Sequence, residues 1–356
     1  MLTDVFAERY RSTEIWSSFS AAEKAFLVQG IRLVAEQLYP YWRKEGKADP
    51  DSKEAWTELH DALSRELGLM ALSERYYSYQ TPYNGTQTTV AASWTMDKVC
   101  ENFIIATYNE AIGNSPDLHM KARVSFFELA LRRKGQELEA ENQSLPARLA
   151  GAENAEKLNI IASQGRHVPR NYIDWLEANN RMKNEVFSSA VAEFNERMKR
   201  CGFPLNYHNG FIQLSNDALI ENTIATPFWG LLIGEEWKNV DLDMKEAFDL
   251  RDNSGRDPAF YAARALESTL KIISKRKNWT TGKEKGAHNY IDNLGSKAHG
   301  CIAPWESDAL KMFFTKIRNP MGHGSGNEAV MILNSQQTDW AIETCMSWIK
   351  ALIKRL

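Results

Sequence analysis

The sequence predicts a mainly α protein: a helical N-terminal domain, a helical middle region with one β-hairpin, and a C-terminal four-helix bundle. Three observations carry that reading. Apolar residues recur at intervals of three and four from Ser20 to the end. The Asn-Gly pair Asn209-Gly210 stands between two short strand-like runs. Four amphipathic stretches fill the last hundred or so residues.

Hydrophobic residues make up 43% and charged residues 25% of the 356. These are ordinary globular values, and the length suffices for two or three domains with real cores. The longest apolar runs, such as Phe228 to Gly234, are far too short to span a bilayer, and the opening nine residues lack the apolar centre of a signal peptide. The chain reads as soluble and cytoplasmic, with no membrane partner.

Elements follow in order. Ala25, Phe26, Gly30, Ile31, Leu33, Val34 and Leu38 mark one helix face, and similar patterns run through 55–69, 94–112 and 118–131. Between the second and third lies Tyr76 to Thr86, aromatic and polar with Pro82 and Asn84-Gly85, which reads as a loop or short hairpin. The polar stretch 136–150 contains Pro146, and a boundary is expected there. A long amphipathic helix over 171–200 ends at Cys201-Gly202, where glycine can cap it. The hairpin is expected over 204–215, with helices near 217–225 and 242–250.

Polar Arg251 to Arg256 then leads to Asp257-Pro258, an N-cap and N1 pair. The four bundle helices carry Ala262, Leu266, Leu270 and Ile273; Ala287, Tyr290, Ile291 and Leu294; Leu310, Phe313, Phe314 and Ile317; and Ile342, Cys345, Ile349 and Leu352. The expected domains are therefore 1–145, 146–250 and 251–356.

Net charge is −3, but residues 251–356 hold 16 Lys and Arg against 10 Asp and Glu, leaving the remainder at −9. A basic third on an acidic body points to an anionic ligand, although solvated helix faces explain it equally well. Cys100, Cys201, Cys301 and Cys345 lack CxxC spacing and read as reduced thiols. No phosphate-binding or dinucleotide glycine motif is present, so no nucleotide cofactor is implied. His288 and His299 share the C-terminal region without a carboxylate or cysteine to complete a metal set, and His208 beside the Asn-Gly turn reads as a hairpin residue.

The chemistry concentrates in Ile317-Arg318-Asn319-Pro320-Met321-Gly322-His323-Gly324-Ser325-Gly326. Pro320 disfavours helical geometry at Asn319, so the third bundle helix is expected to stop near Arg318. Glycines then return His323 to the helix end. These residue types suit RNA cleavage by the ribose 2′-OH, without a metal. Histidine exchanges the proton near neutral pH, and arginine grips the phosphate with two hydrogen bonds. Asn319 can orient His323 or bind the phosphate, while Gly324 and Gly326 let backbone N–H groups approach it. An arginine four to six residues before a histidine arises about once by chance in such a chain, so the setting carries the weight. The bland alternative is a capping arginine and a histidine in a glycine loop.

A four-helix domain with R-N-x-x-x-H after its third helix resembles a HEPN domain (higher eukaryotes and prokaryotes nucleotide-binding). The segments Phe194 to Glu196, Tyr207 to Ile212, Ala263 to Lys271 and Arg318 to Gly324 are together similar to abortive-infection proteins of the AbiJ type, over 190–356. The opening Asp4 to Tyr10 also resembles the start of an AbiJ-type N-terminal domain.

The resemblance implies a metal-independent endoribonuclease toxin of bacterial anti-phage defence. Arg318, Asn319 and His323 would be catalytic, Glu267 would orient Arg318 by ion pairing, and Gly324 would bind phosphate. It further implies an RNA substrate such as tRNA, a homodimer through the C-terminal bundle, and a regulatory partner or phage trigger for the N-terminal domain. Pro320 departs from the family pattern. The alternative is a non-catalytic HEPN scaffold for dimerisation or nucleotide binding in a defence or toxin–antitoxin complex.

Overall fold

The computed structural model describes residues 4–43, 46–83, 86–109, 115–162, 172–215, 220–322 and 331–356. Helices dominate: α1 (Phe6–Arg9), α2 (Ala21–Leu33), α3 (Pro50–Glu66), α4 (Met96–Ile105), α5 (Pro116–Ala162) and α6 (Tyr172–Arg200) come first. Then follow α7 (Thr226–Leu231), α8 (Lys238–Asp252), α9 (Pro258–Arg276), α10 (Ala287–Gly295), α11 (Pro304–Phe313), α12 (Asn319–Gly322) and α13 (Ser335–Ile353). Wider π-helical turns extend α2 (Val34–Leu38), lead into α7 (Glu221–Ala225) and join α11 to α12 (Phe314–Arg318).

Two antiparallel hairpins complete the described structure: β1 (Tyr76–Tyr83) with β2 (Thr86–Ser93), and β3 (Leu205–His208) with β4 (Phe211–Leu214). The second is the one expected from Asn209-Gly210. Both residues take positive φ, 42° and 94°, the combination that a type I′ turn demands. The first settles the choice between loop and hairpin at 76–86 in favour of a hairpin that runs on to Ser93.

The chain divides into two compact units, Met1–Ile212 and Gln213–Leu356. In the first, the core is aromatic. Phe26 contacts Phe127, Phe194 and Phe203 with ring centroids 5.8, 5.5 and 5.1 Å apart, and Trp56 stacks on Phe126 at 5.9 Å. Gly30 is required where α2 crosses α5, since a Cβ there would lie 2.7 Å from the Phe127 ring. In the second unit, α9 buries Ala262, Leu266, Leu270 and Ile273 among Ile291, Leu310, Phe314, Ile342, Cys345 and Ile349. The four stripes read from periodicity do converge on one core.

Several expected boundaries shift. Pro146 lies inside α5, which continues for 47 residues without a break there. Antiparallel pairing with α6 holds that stretch: Lys183 bonds both Glu141 oxygens at 2.7 and 2.8 Å, and Asn142 bonds Asn180 and Asn184. Tertiary pairing thus overrides the local preference of an exposed proline. The helix expected over 94–112 ends at Ile105, where Ala106 turns extended; the start of the helix expected at 217 lies outside the described residues. Asp257 does not cap α9 through its side chain. It adopts left-handed φ and ψ of 56° and 46°, and its carboxylate pairs with Arg256 at 3.1 Å. Instead Asn334 and Gln337 cap α13 reciprocally, at 2.9 and 3.0 Å, a pairing the sequence reading passed over.

Candidate active site in the C-terminal unit

The α9 helix presents Phe260, Arg264, Glu267 and Lys271 at intervals of four, three and four, one face beside the buried stripe. Arg318 meets this face from the end of the third bundle helix. That helix does not stop at Arg318 as Pro320 implied. It widens into the π-helical turn Phe314–Arg318, where the Asn319 N–H donates to the Phe314 carbonyl, and continues as α12. Asn319 is helical, with φ −64° and ψ −42°. The widened turn makes room for the proline ring, which regular helix would reject, at the loss of the one backbone hydrogen bond that Pro320 cannot donate. Phe314, buried against the bundle core, anchors the turn.

An Arg318 terminal nitrogen lies 3.3 Å from Oε2 of Glu267, and the Lys271 ammonium lies 2.8 Å from Oε1. One carboxylate is therefore shared by two cations, leaving the trio with a net charge of +1. Glu267 is buried, whereas the Arg318 side chain keeps 25% of its surface exposed. Among the described residues this is the one hydrogen bond Arg318 makes, and its Nε is buried without a partner. Its guanidinium also stands 5.5 Å from the centroid of Phe260, and Lys271 stands 5.9 Å from Tyr290, contacts that fix both stems. Alongside, Thr315 Oγ1 lies 3.3 Å from His288 Nε2. Arg264 on the same helix is committed elsewhere, to Asp243 at 2.9 Å.

Of the residues singled out from sequence, the structure brings Arg318 and Glu267 together and puts Asn319 on the next residue of the same helix. His323 and Gly324, with Gly326, lie outside the described residues. Sequence reasoning passed over Lys271 and Phe260. The Glu267–Lys271 spacing of four was the available signal, since such pairs face one another on a helix. Among the described residues no group of three or more His, Cys, Asp and Glu is placed to hold a metal ion. None of the described helices is long and apolar enough to cross a membrane. Cys100 and Cys345 are buried and Cys201 and Cys301 half-buried, all four as free thiols that burial raises above their ordinary pKa.

Charges in the N-terminal unit are arranged differently. Glu128 on α5 is fully buried between Arg9 and Arg132 and accepts the Ile212 N–H at 2.7 Å. Arg9 also reaches the Ile212 carbonyl and Asp4, and Arg132 the carbonyls of Gly210 and Asp4. The opening segment Asp4 to Tyr10 is thereby fastened to α5 and to the strand ends.

Residues 4–230 match the family described as AbiJ N-terminal domain 4. The chain belongs to that family. No curated protein and no solved structure matches it. This AbiJ-type chain is thus tied to abortive-infection defence through its N-terminal domain, which takes in the expected hairpin at 204–215 and runs across the boundary once expected at Pro146. Arg318, Glu267 and Lys271 lie beyond the matched residues.

Proposed function

We propose that this AbiJ-type protein is a metal-independent endoribonuclease toxin, with its active centre at Arg318 and His323 in a HEPN-like bundle. The observation that carries the reading is the arginine held by a buried carboxylate, a quarter of its surface exposed, with donors to spare and a second cation beside it. Arg318 binds the scissile phosphate and stabilises the charge that develops on its oxygens. The ribose 2′-OH attacks the adjacent phosphorus, the bond to the 5′-oxygen breaks, and His323 takes or returns the proton. The products are a 2′,3′-cyclic phosphate and a free 5′-hydroxyl. Asn319 orients His323 or the phosphate, and Gly324 offers its backbone N–H. Glu267 is a positioning residue that sets the Arg318 fork.

The substrate is RNA, structured RNA such as tRNA first among the candidates. Two copies of the C-terminal bundle would pool their cations around one phosphate, and the N-terminal domain would receive the phage trigger or a regulatory partner. The test is to incubate purified protein with total RNA in EDTA and to identify the new ends. Cleavage with cyclic phosphate ends supports the reading. Cleavage that vanishes on chelation and returns with Mg²⁺ contradicts it, and light scattering that finds a monomer in an active preparation contradicts the dimer.

A further inference from the structure

The β1–β2 hairpin of the N-terminal unit has an open edge. From Tyr76 to Ser93 it carries no charged residue, in a chain that is 25% charged. Among the described residues its sheet has two strands and no third, and nearly every residue of both strands is exposed or half-buried. A two-stranded ribbon is marginal alone and gains from a third or fourth strand. Natural edges are blunted by charge or proline.

The register shows which edge is blunted. Tyr76 pairs with Ser93 and Tyr83 with Thr86, and the Trp94 N–H donates to the Arg75 carbonyl at 2.9 Å, one step further in the same register. Arg75 and Trp94 are therefore a hydrogen-bonded pair, and alternation makes Tyr77 and Ala92, Tyr79 and Val90, and Thr81 and Thr88 the others. The backbones of Ser78, Gln80 and Pro82 on β1, and of Gln87, Thr89 and Ala91 on β2, then point away from the hairpin. Pro82 removes one outward N–H and blunts β1. The β2 edge keeps all of its donors and acceptors.

On one face Tyr77 stacks on Trp94 at 4.1 Å and neighbours Tyr79 at 6.1 Å, so these rings cover each other. With no cation in the hairpin, a nucleic acid backbone finds no charge there to hold it. An uncharged strand with a free edge is what β2 lacks, and β2 of another copy is one.

We propose that the outer edge of β2 pairs antiparallel with β2 of a second copy. Two hairpins then close into one four-stranded sheet around a two-fold axis near Thr89 and Val90. The edge is self-complementary, because antiparallel pairing about such an axis sets outward residues against outward residues. Absence of charge removes the like-charge repulsion that would reject an identical strand.

Sedimentation equilibrium of the full-length protein tests this. Thr89→Pro deletes an outward N–H that the hairpin itself does not use, and Ser78→Pro does the same on β1. Wild type and Ser78→Pro are expected to share an association step that Thr89→Pro lacks, with circular dichroism unchanged. Thr89→Lys should weaken that step by about tenfold or more, and mixing Thr89→Lys with Thr89→Glu should restore it. A dimer through residues 251–356 is untouched by these changes, so the step read is the doubling beyond it. Equal masses for wild type and Thr89→Pro at every concentration overturn self-pairing and leave the edge to a strand of another protein.

Discussion

Buried charge is used in opposite ways in the two units. Around Glu128 both carboxylate oxygens and the donors of two arginines are engaged with side chains, carbonyls and an N–H of segments far apart in sequence. Around Glu267 the geometry is looser: one 3.3 Å bond to Arg318, a lysine on the other oxygen, and a guanidinium a quarter exposed. A network whose many short bonds tie together segments far apart in sequence fastens the fold. A cation held by a single bond at a rim keeps capacity for a ligand. A charged pair can take a ligand where its cation keeps both exposed surface and uncommitted donors, as Arg318 does and the Glu128 cluster does not.

Breaking the tighter network should produce the largest change. Glu128→Ala strands two buried guanidinium groups, and we expect a loss of about 3–5 kcal/mol in the N-terminal unit. Calorimetry should show its melting transition lowered by roughly 10 °C. A shift under 2 °C would place the Glu128 network with ordinary surface pairs.

Arg318→Lys reverses the pattern. Lysine keeps the charge but loses the planar fork, so cleavage should fall by about a hundredfold, on the order of 3 kcal/mol, with melting unchanged. A variant that cleaves normally would break the contrast, since the cation would then serve only as charge. Glu267→Gln sharpens it: about tenfold is expected in kcat with KM little altered, because the fork is misaimed rather than lost. Glu267→Asp should recover part of that loss, and equal defects in both variants would argue for a purely structural role.

A separate effect is in pH. Burial, aided by the positive charge of Arg123, holds His119 down at about 4. The unfolded chain takes up that proton below its ordinary pKa of about 6.5 while the folded chain does not. Its contribution to stability is complete above pH 6.5 and lost as pH falls toward 4. His119→Asn should flatten the slope of stability against pH in that window, and an unchanged slope would remove His119 from the account.

Much of the C-terminal unit was legible in the sequence because its helices are short and amphipathic, each with one apolar stripe. The Asn209-Gly210 turn was legible for a stricter reason: two successive positive φ angles suit few other residue pairs. Pro146 misled because the pairing that keeps α5 helical through it lies in α6, some forty residues away in sequence. Pro320 misled because a π-helical turn accommodates a ring that regular helix rejects. At the site, Glu267 was reached through a resemblance, and the ion pair to Arg318 spans 51 residues that no local pattern connects. The Arg9–Glu128–Arg132 network left no trace at all, since its members look like ordinary helix-surface charges until the chain folds.

Arg318 and His323 are proposed to cleave RNA together. The most direct measurement is single-turnover cleavage by wild type and His323→Ala in EDTA, beside circular dichroism melts of both. The melts should coincide while cleavage disappears in the variant, the outcome expected where His323 serves proton transfer. Wild-type protein that is inert on every RNA tried, yet protects cells from phage with or without His323, contradicts the account.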